Sequence, residues 1–499
     1  MDKRFIMAID QGTTGTHVVL FDHEGQICAS AYREITQIYQ KPGWVEHDAM
    51  EYWKTTMECA AEIFASDDVS VSDIAAIGIT CQRETTILWD KVTGQPLYYA
   101  IVWQSRQSAE ICEHLKESGL DVYVHERTGL PIDAYFSGSK IKWIIENVPG
   151  VREKAEAGQV YFGNIDSWLM YMLSDGAAHV EDYSNASRTM LLDIHTLKWD
   201  ERIINALDIP RSILPQLKPS SGVLTTTSKR VFFDAEIPIS GDAGDQQAAA
   251  FGQTCFKPGV AKNTYGTALA LMMNIGQKFR LSQNGLMTDL AWVLADKTEY
   301  ALEGLVFMGG ATIQWLRDGL KIIKHSSEVG ELASRVDDTG GVYLVPAFTG
   351  LCAPYWDMYA RGTIVGMTRG TTNEHIARSA LESIAYQTRD LLECMQRDSE
   401  QITTSLRVDG GATACDFLMQ FQADILGIPI LKPSITEMTS LGAAYLAGLG
   451  IGFWKDQQEI AKQWKVARVF EPDMSEDKRE SLYAGWKRAV QRSLNWASE

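Results

Sequence analysis

One short loop occurs twice, about half a chain apart, and it limits the folds open to this sequence. The first copy is Ile6-Met7-Ala8-Ile9-Asp10-Gln11-Gly12-Thr13-Thr14-Gly15-Thr16, leading into Val18-Val19-Leu20-Phe21. The second is Val260-Ala261-Lys262-Asn263-Thr264-Tyr265-Gly266-Thr267, leading into Ala268-Leu269-Ala270-Leu271-Met272. Each reads as an apolar strand, a tight Gly/Thr turn and a second apolar strand. Such hairpins offer backbone N–H groups and Thr hydroxyls to an anion. The pair predicts a duplicated fold that grips a polyphosphate from both sides.

At 499 residues the chain is too long for a single core, so two large domains are expected. The boundary falls near Gly252, giving residues 1–252 and 253–499. A formal net charge of -18 argues against nucleic acid and anionic membrane as partners. Polyphosphate remains possible, because local N–H groups and a bound cation set the field at such a site. The cysteines (Cys28, Cys59, Cys81, Cys112, Cys255, Cys352, Cys394 and Cys415) form no CxxC pair and no zinc-spaced cluster. They read as buried thiols in a reducing cytosol. No apolar run reaches the ~18 residues of a membrane helix. The charged start Met1-Asp2-Lys3-Arg4 runs into a strand and does not read as a signal peptide.

The pattern predicts successive strands over 1–40, helices over 50–65, 138–147 and 166–173, and strands at 74–80 and 87–89. Residues 211–228, with two prolines and a Ser/Thr run, read mostly as loop. Ile237-Pro238-Ile239 reads as a strand entering Ser240-Gly241-Asp242-Ala243-Gly244-Asp245-Gln246-Gln247, a Gly-flanked turn before a small-residue helix. The second half repeats the plan, with helices over 312–320 and 374–396. A third turn, Asp409-Gly410-Gly411-Ala412, closes the strand Leu406-Arg407-Val408. Strands alternating with helices indicate α/β layers.

Asp10 sits where a strand meets the Gly/Thr turn. A carboxylate beside phosphate needs a divalent cation between them, and Mg²⁺ takes few protein carboxylates. Thr13, Thr14 and Thr267 can donate to phosphoryl oxygens. The GxxxxGK[ST] loop and the HRD/DFG set are missing, so neither a P-loop NTPase nor a protein kinase is indicated. Asp245 and Asp242, at the domain junction, each suit either a general base or a helix N-cap, with Asp245 the better placed for the base.

These residues resemble the FGGY carbohydrate kinases, and among them most closely the glycerol-phosphorylating branch. The likeness covers essentially the whole chain. It rests on Asp10-Gln11-Gly12-Thr13-Thr14, Lys41-Pro42-Gly43-Trp44-Val45-Glu46-His47-Asp48, Gln82-Arg83-Glu84-Thr85-Thr86 and Tyr135-Phe136-Ser137-Gly138-Ser139-Lys140. Asn185-Ala186-Ser187-Arg188-Thr189-Met190, Gly244-Asp245-Gln246-Gln247 and Ala353-Pro354-Tyr355-Trp356 add to it. The resemblance implies an actin/Hsp70/hexokinase-like fold, two RNase-H-like α/β domains closing over ATP and Mg²⁺. It implies Arg83, Glu84, Trp103, Tyr135, Asp245 and Gln246 as the polyol set, with Asp245 the base. It implies Thr13, Thr14, Gly15, His17, Thr267, Gly310, Gln314, Gly411 and Cys415 around the nucleotide, and Asp10 on the metal side. A homodimer or homotetramer is the implied assembly.

The chain also departs from that family's pattern. His17 stands for an arginine, Ala270 for the phenylalanine that packs on glycerol's carbons, Cys352 for a glycine and Cys415 for an asparagine. The stretch 225–236 lacks both the phosphorylatable His and the Gly-Gly-Thr-Arg loop of regulated relatives, so neither control is expected. Two other functions stay open on the sequence: a kinase for a different or larger polyol, and a nucleotide-binding protein with little catalysis.

Overall fold

A computed structural model describes residues 3–497 apart from Asp67 and Asp296; Met1 and Asp2 of the charged start lie outside the described residues. The strands Phe5–Gln11, Gly15–Phe21 and Ile27–Glu34 form an antiparallel meander, and Phe5–Gln11 then pairs in parallel with Ile74–Cys81. Ile74–Cys81 pairs in parallel with Pro238–Gly244. The second half repeats this order. Ala261–Tyr265, Leu269–Gly276 and Lys297–Val306 form the meander, and Ala261–Tyr265 pairs in parallel with Leu406–Asp409, which pairs in parallel with Ile430–Pro433. Two antiparallel steps followed by two parallel ones, found twice, are the expected RNase-H-like halves. Both belong to one 13-stranded sheet, joined where Ser221 pairs with Leu294.

Strand and helix types follow from the apolar patterns. Phe5–Gln11 and Ile74–Cys81 are apolar on both faces because helices cover both sides of the sheet. The helix Ala49–Phe64 starts at Asp48, whose carboxylate accepts from the Met50 N–H. The long helix Asn373–Ser399 buries Ala380, Ile384 and Leu391, as its spacing predicts; Ile376 is only partly buried.

Two expectations need correction. Residues 211–228 are not mostly loop: Ser221–Thr226 is a strand of the main sheet, antiparallel to Pro238–Gly244. Its Thr residues suit a half-buried strand, and the Ser221 hydroxyl donates to the Leu446 carbonyl. Residues 241–245 are not a turn either. The strand Pro238–Gly244 runs straight into the helix Asp245–Gly252, so Asp245 is a first-turn residue and Gly244 the cap.

The helix Met438–Ile451 comes late in the sequence, yet it packs on the first half. Its small residues lie against the backbone of the sheet: a Cβ on Gly78 would sit 2.2 Å from the Ala443 carbonyl oxygen. One on Gly442 would sit 1.8 Å from that of Ala248. Only glycine permits that approach. Ile6, Ala8, Ala248, Leu441 and Ala444 share one apolar core there, so this helix locks the second half to the first. Among the described residues, no helix is long and apolar enough to cross a membrane.

Candidate active site

The first loop is shaped by Gly15, where a Cβ would collide with the Tyr32 ring and the Arg33 carbonyl. The Gly12 N–H donates to the Gly15 carbonyl over 2.9 Å, closing the turn. Thr14 is exposed, and Thr13 is half-buried. The Thr13 hydroxyl accepts from the Trp103 indole N–H over 3.0 Å. The second loop is built alike, with the Gly266 N–H donating to the Ala268 carbonyl over 3.0 Å. The helix Gly310–Asp318 starts against it: the Gly310 N–H donates to the Gly266 carbonyl at 2.8 Å. Thr267, Gln314 and Gly411 are exposed. Cys415 differs: it is half-buried, and a Cβ on Gly330 would sit 2.9 Å from its Sγ.

Asp10 and His17 are paired across the first hairpin and both face the start of the helix Met438–Ile451. The Ser440 hydroxyl donates to Asp10 over 3.3 Å, and His17 Nδ1 lies 3.4 Å from Glu437 Oε2. Burial, with Asp245 and Glu437 as nearby like charges, pushes the Asp10 carboxyl up to about 7, and His17 opposes this. The bond to Glu437 raises the His17 imidazole above its ordinary value.

Arg83 is buried at the junction. Its Nε lies 3.1 Å from Asp245 Oδ1, and one terminal N–H donates to Glu303 at 2.6 Å. The other terminal nitrogen donates to the Gln247 side chain at 3.2 Å. Asp245 keeps 30% of its side chain exposed, so its outer oxygen is free to meet a ligand. Gln246 accepts from the buried Lys262 ammonium, which also donates to the Thr264 hydroxyl at 2.9 Å.

Glu84 has a left-handed backbone, φ 61°, which a non-glycine residue holds only against strain. Its carbonyl accepts from the Ser137 hydroxyl and the Lys140 ammonium, each at 3.1 Å. Its carboxylate accepts from Arg188 Nε at 2.6 Å. Arg188 also lies 2.7 Å from Asp289 and 2.9 Å from Glu303. Burial pushes Glu303 up, but Arg83 and Arg188 outweigh it and hold the carboxyl at about 2. Burial raises Asp289 to about 7 against the pull of Arg188. Tyr135 packs its ring edge-on against Trp103, with centroids 5.5 Å apart, and the Arg188 guanidinium lies 5.8 Å from the Tyr135 centroid.

The structure therefore brings Arg83, Glu84, Tyr135 and Trp103 together with Asp245, and sets Asp10 near that carboxylate. Asp242 does not join them. It is fully buried on the strand below, beside Asp166 and Asp182, and serves neither as base nor as N-cap. Sequence reasoning missed the roles of Arg188, Asp289, Glu303, Lys262 and Ser440. The signal for two of them was present: Lys262 and Asp289 are each the one charge inside a buried strand, where a charge needs a partner.

The chain is similar to known proteins over nearly its whole length. The chain is 59% identical to a glycerol kinase of Caldanaerobacter subterraneus subsp. tengcongensis over 496 residues, 99% of this chain and 100% of that one. It is 58% identical to glycerol kinase 2 of Thermotoga maritima, covering 99% of each chain. The crystal structure of Plasmodium falciparum glycerol kinase with ADP superposes with a TM-score of 0.92 at 37% identity, over 99% of both chains. A gluconate kinase from Lactobacillus acidophilus shares the fold, with a TM-score of 0.86 at 23% identity over 98% of this chain and 96% of that one. Residues 5–252 match the N-terminal domain of the FGGY family of carbohydrate kinases and residues 261–451 its C-terminal domain, so the duplicated sheet and its junctional carboxylates belong to a member of that family.

Proposed function

We propose that this chain transfers the γ-phosphoryl group of ATP to glycerol, giving sn-glycerol 3-phosphate. The observation that carries the reading is the Arg83–Asp245 pair at 3.1 Å, which fixes one carboxylate oxygen and leaves the group partly open. In this reading Asp245 receives the acceptor hydroxyl's proton as that oxygen attacks phosphorus. Arg83 and Glu84 bind adjacent hydroxyls, one donating and one accepting, which suits a vicinal diol. Tyr135 and Trp103 form the apolar wall. Gln246, steadied by Lys262, completes the polyol set.

Residues 1–252 would carry the polyol and the first phosphate loop, and 253–499 most of the nucleotide contacts. Thr13, Thr14, Gly15 and His17 would meet the phosphates from one side. Thr267, Gly310, Gln314, Gly411 and Cys415 would meet the nucleotide from the other. The Asp10 carboxylate and the Ser440 hydroxyl beside it are hard oxygen donors, which fits Mg²⁺. When bound there, Mg²⁺ would neutralise charge on the phosphates. Closing the cleft would exclude water, the competing acceptor. We read the protein as cytoplasmic and as a homodimer or homotetramer, with no nucleic-acid partner.

One observation favours a second reading. Ala270 is small and buried where the resemblance to the FGGY kinases implies a phenylalanine packed on glycerol's carbons, and on that reading the polyol wall is short of one large side chain. A kinase for a larger polyol would use that space. A coupled ADP-release assay with glycerol, dihydroxyacetone, erythritol and pentitols separates the two. Highest kcat/KM on glycerol is expected. Equal or better turnover of a larger polyol selects the second reading, and ADP release no faster than without polyol rejects both.

A further inference from the structure

Behind the strand Pro238–Gly244, which leads into Asp245, lie four carboxylates with no exposure at all: Asp166, Glu181, Asp182 and Asp242. Oxygens of Asp166, Asp182 and Asp242 all lie within 4.8 Å of one another. Among the described residues, none of the four makes an ion pair with a Lys, Arg or His. Asp182 is well supplied with donors: the Ser184 and Asn185 N–H groups at 2.8 Å each, the Ser184 hydroxyl at 2.8 Å, the Asn185 amide at 3.1 Å and the Ser220 hydroxyl at 2.7 Å. Asp242 is the opposite case. Both its oxygens are buried with no donor in reach except a proton shared with the neighbouring Asp166 carboxyl, and both oxygens of Glu181 and Oδ2 of Asp166 are buried without a donor. A buried carboxylate without a donor is costly unless a cation or a proton neutralises it.

We propose that Asp166, Asp182 and Asp242 hold a divalent cation of the Ca²⁺ type. Two oxygens that touch one ion at about 2.3–2.6 Å can be no more than roughly 5 Å apart, and the three carboxylates meet that limit. All the donors are oxygen, which selects a hard ion. A site with no exposure favours an ion that sheds its water readily, so Ca²⁺ fits better than Mg²⁺. The site is separate from the Asp10 position. It ties together two elements of the proposed active site. Asp182 caps the helix Tyr183–Ser187, which is followed by Arg188. Asp242 precedes Asp245 on its strand, and the Gly244 N–H donates to the Ser184 hydroxyl at 3.0 Å. An ion there would brace Asp245 and Arg188 from behind.

The test uses the nucleotide-free full chain. Metal content is measured by mass spectrometry after dialysis, and thermal unfolding is followed after chelator treatment and refilling with Ca²⁺, Mn²⁺ or Mg²⁺. On the order of one ion per chain should survive dialysis, or Ca²⁺ should raise the melting temperature of stripped protein by about a few degrees. Asp242→Asn should abolish that response, and Asp10→Asn should keep it. Stripped wild-type protein that binds no ion and melts alike in all three cations overturns the proposal, and leaves shared protons as what neutralises the cluster. A Ca²⁺ response in Asp242→Asn equal to wild type overturns it as well. If Asp242→Asn does not fold, the strip-and-refill result on wild type decides alone.

Discussion

The Trp103 indole N–H donates to the Thr13 hydroxyl over 3.0 Å, joining the aromatic wall of the polyol set to the first phosphate loop. An indole that packs edge-on against Tyr135 thus also fixes the rotamer of a loop threonine. Trp103→Phe keeps an aromatic ring in the wall and removes the donor, together with part of the indole surface. A freed Thr13 hydroxyl should loosen the loop, at a cost of about 0.5–1.5 kcal/mol for a neutral hydrogen bond. Steady-state kinetics should therefore show a rise in the KM for ATP as well as for polyol. A change confined to polyol would mean that the hydrogen bond is incidental to nucleotide binding.

Asp245 is held by Arg83 on one oxygen, and its backbone belongs to a helix start, so Asp245→Asn should leave the fold intact. The amide cannot accept the acceptor's proton. A fall in kcat of about 10²–10⁴-fold is expected, with polyol KM changed far less. Single-turnover phosphoryl transfer read by quenched flow checks it. A variant that retains wild-type single-turnover rate would move the base elsewhere.

Arg188 serves Glu84, Asp289 and Glu303 from one planar guanidinium, all without solvent. Arg188→Lys keeps the charge and loses the fork. A single ammonium cannot satisfy three separated carboxylates, so at least one is left buried and unpaired. Denaturant unfolding should show a loss of about 3–5 kcal/mol. The polyol KM should rise more than the ATP KM, because Glu84 loses its bond at 2.6 Å. Equal shifts in both constants would mark the network as a general support rather than a polyol device.

The repeated Gly/Thr loop was enough to predict the duplicated sheet, because a hairpin turn is a local signal. Asp245 was legible as a junctional carboxylate, and Arg83 with Glu84 through a long motif. The helix Met438–Ile451 was not legible as the lock between halves. Its apolar residues surround it, so periodicity gives no face, and its glycines matter only once the facing Gly78 backbone is known. The strand Ser221–Thr226 was hidden for a related reason: its polar residues are neutralised by pairing and by a bond to Leu446, neither of which a local window contains. The ion network was hidden because Arg83 and Glu303 are 220 positions apart.

Lys140 supports the strained Glu84 from below, donating to the Glu84 and Tyr135 carbonyls. Burial lowers its ammonium from 10.5 to about 7, against the pull of Glu84. The unfolded chain keeps that proton up to the ordinary lysine range, so between pH 7 and 10 the unfolded state binds more protons than the folded one. Stability from this group therefore rises with pH between about 7 and 10, is lost as pH falls back across that interval, and changes no further below 7, where both states hold the proton. Between pH 6 and 9 the gain is on the order of 3 kcal/mol. Lys140→Met removes the titration. Urea unfolding of both proteins at pH 6 and pH 9 isolates the effect from other titrating groups, since those are common to both. Wild type should gain on the variant by about that amount over the interval. Parallel pH dependences would mean that Lys140 stays charged in the fold, with the Glu84 and Tyr135 carbonyls solvating its ammonium well enough to offset burial.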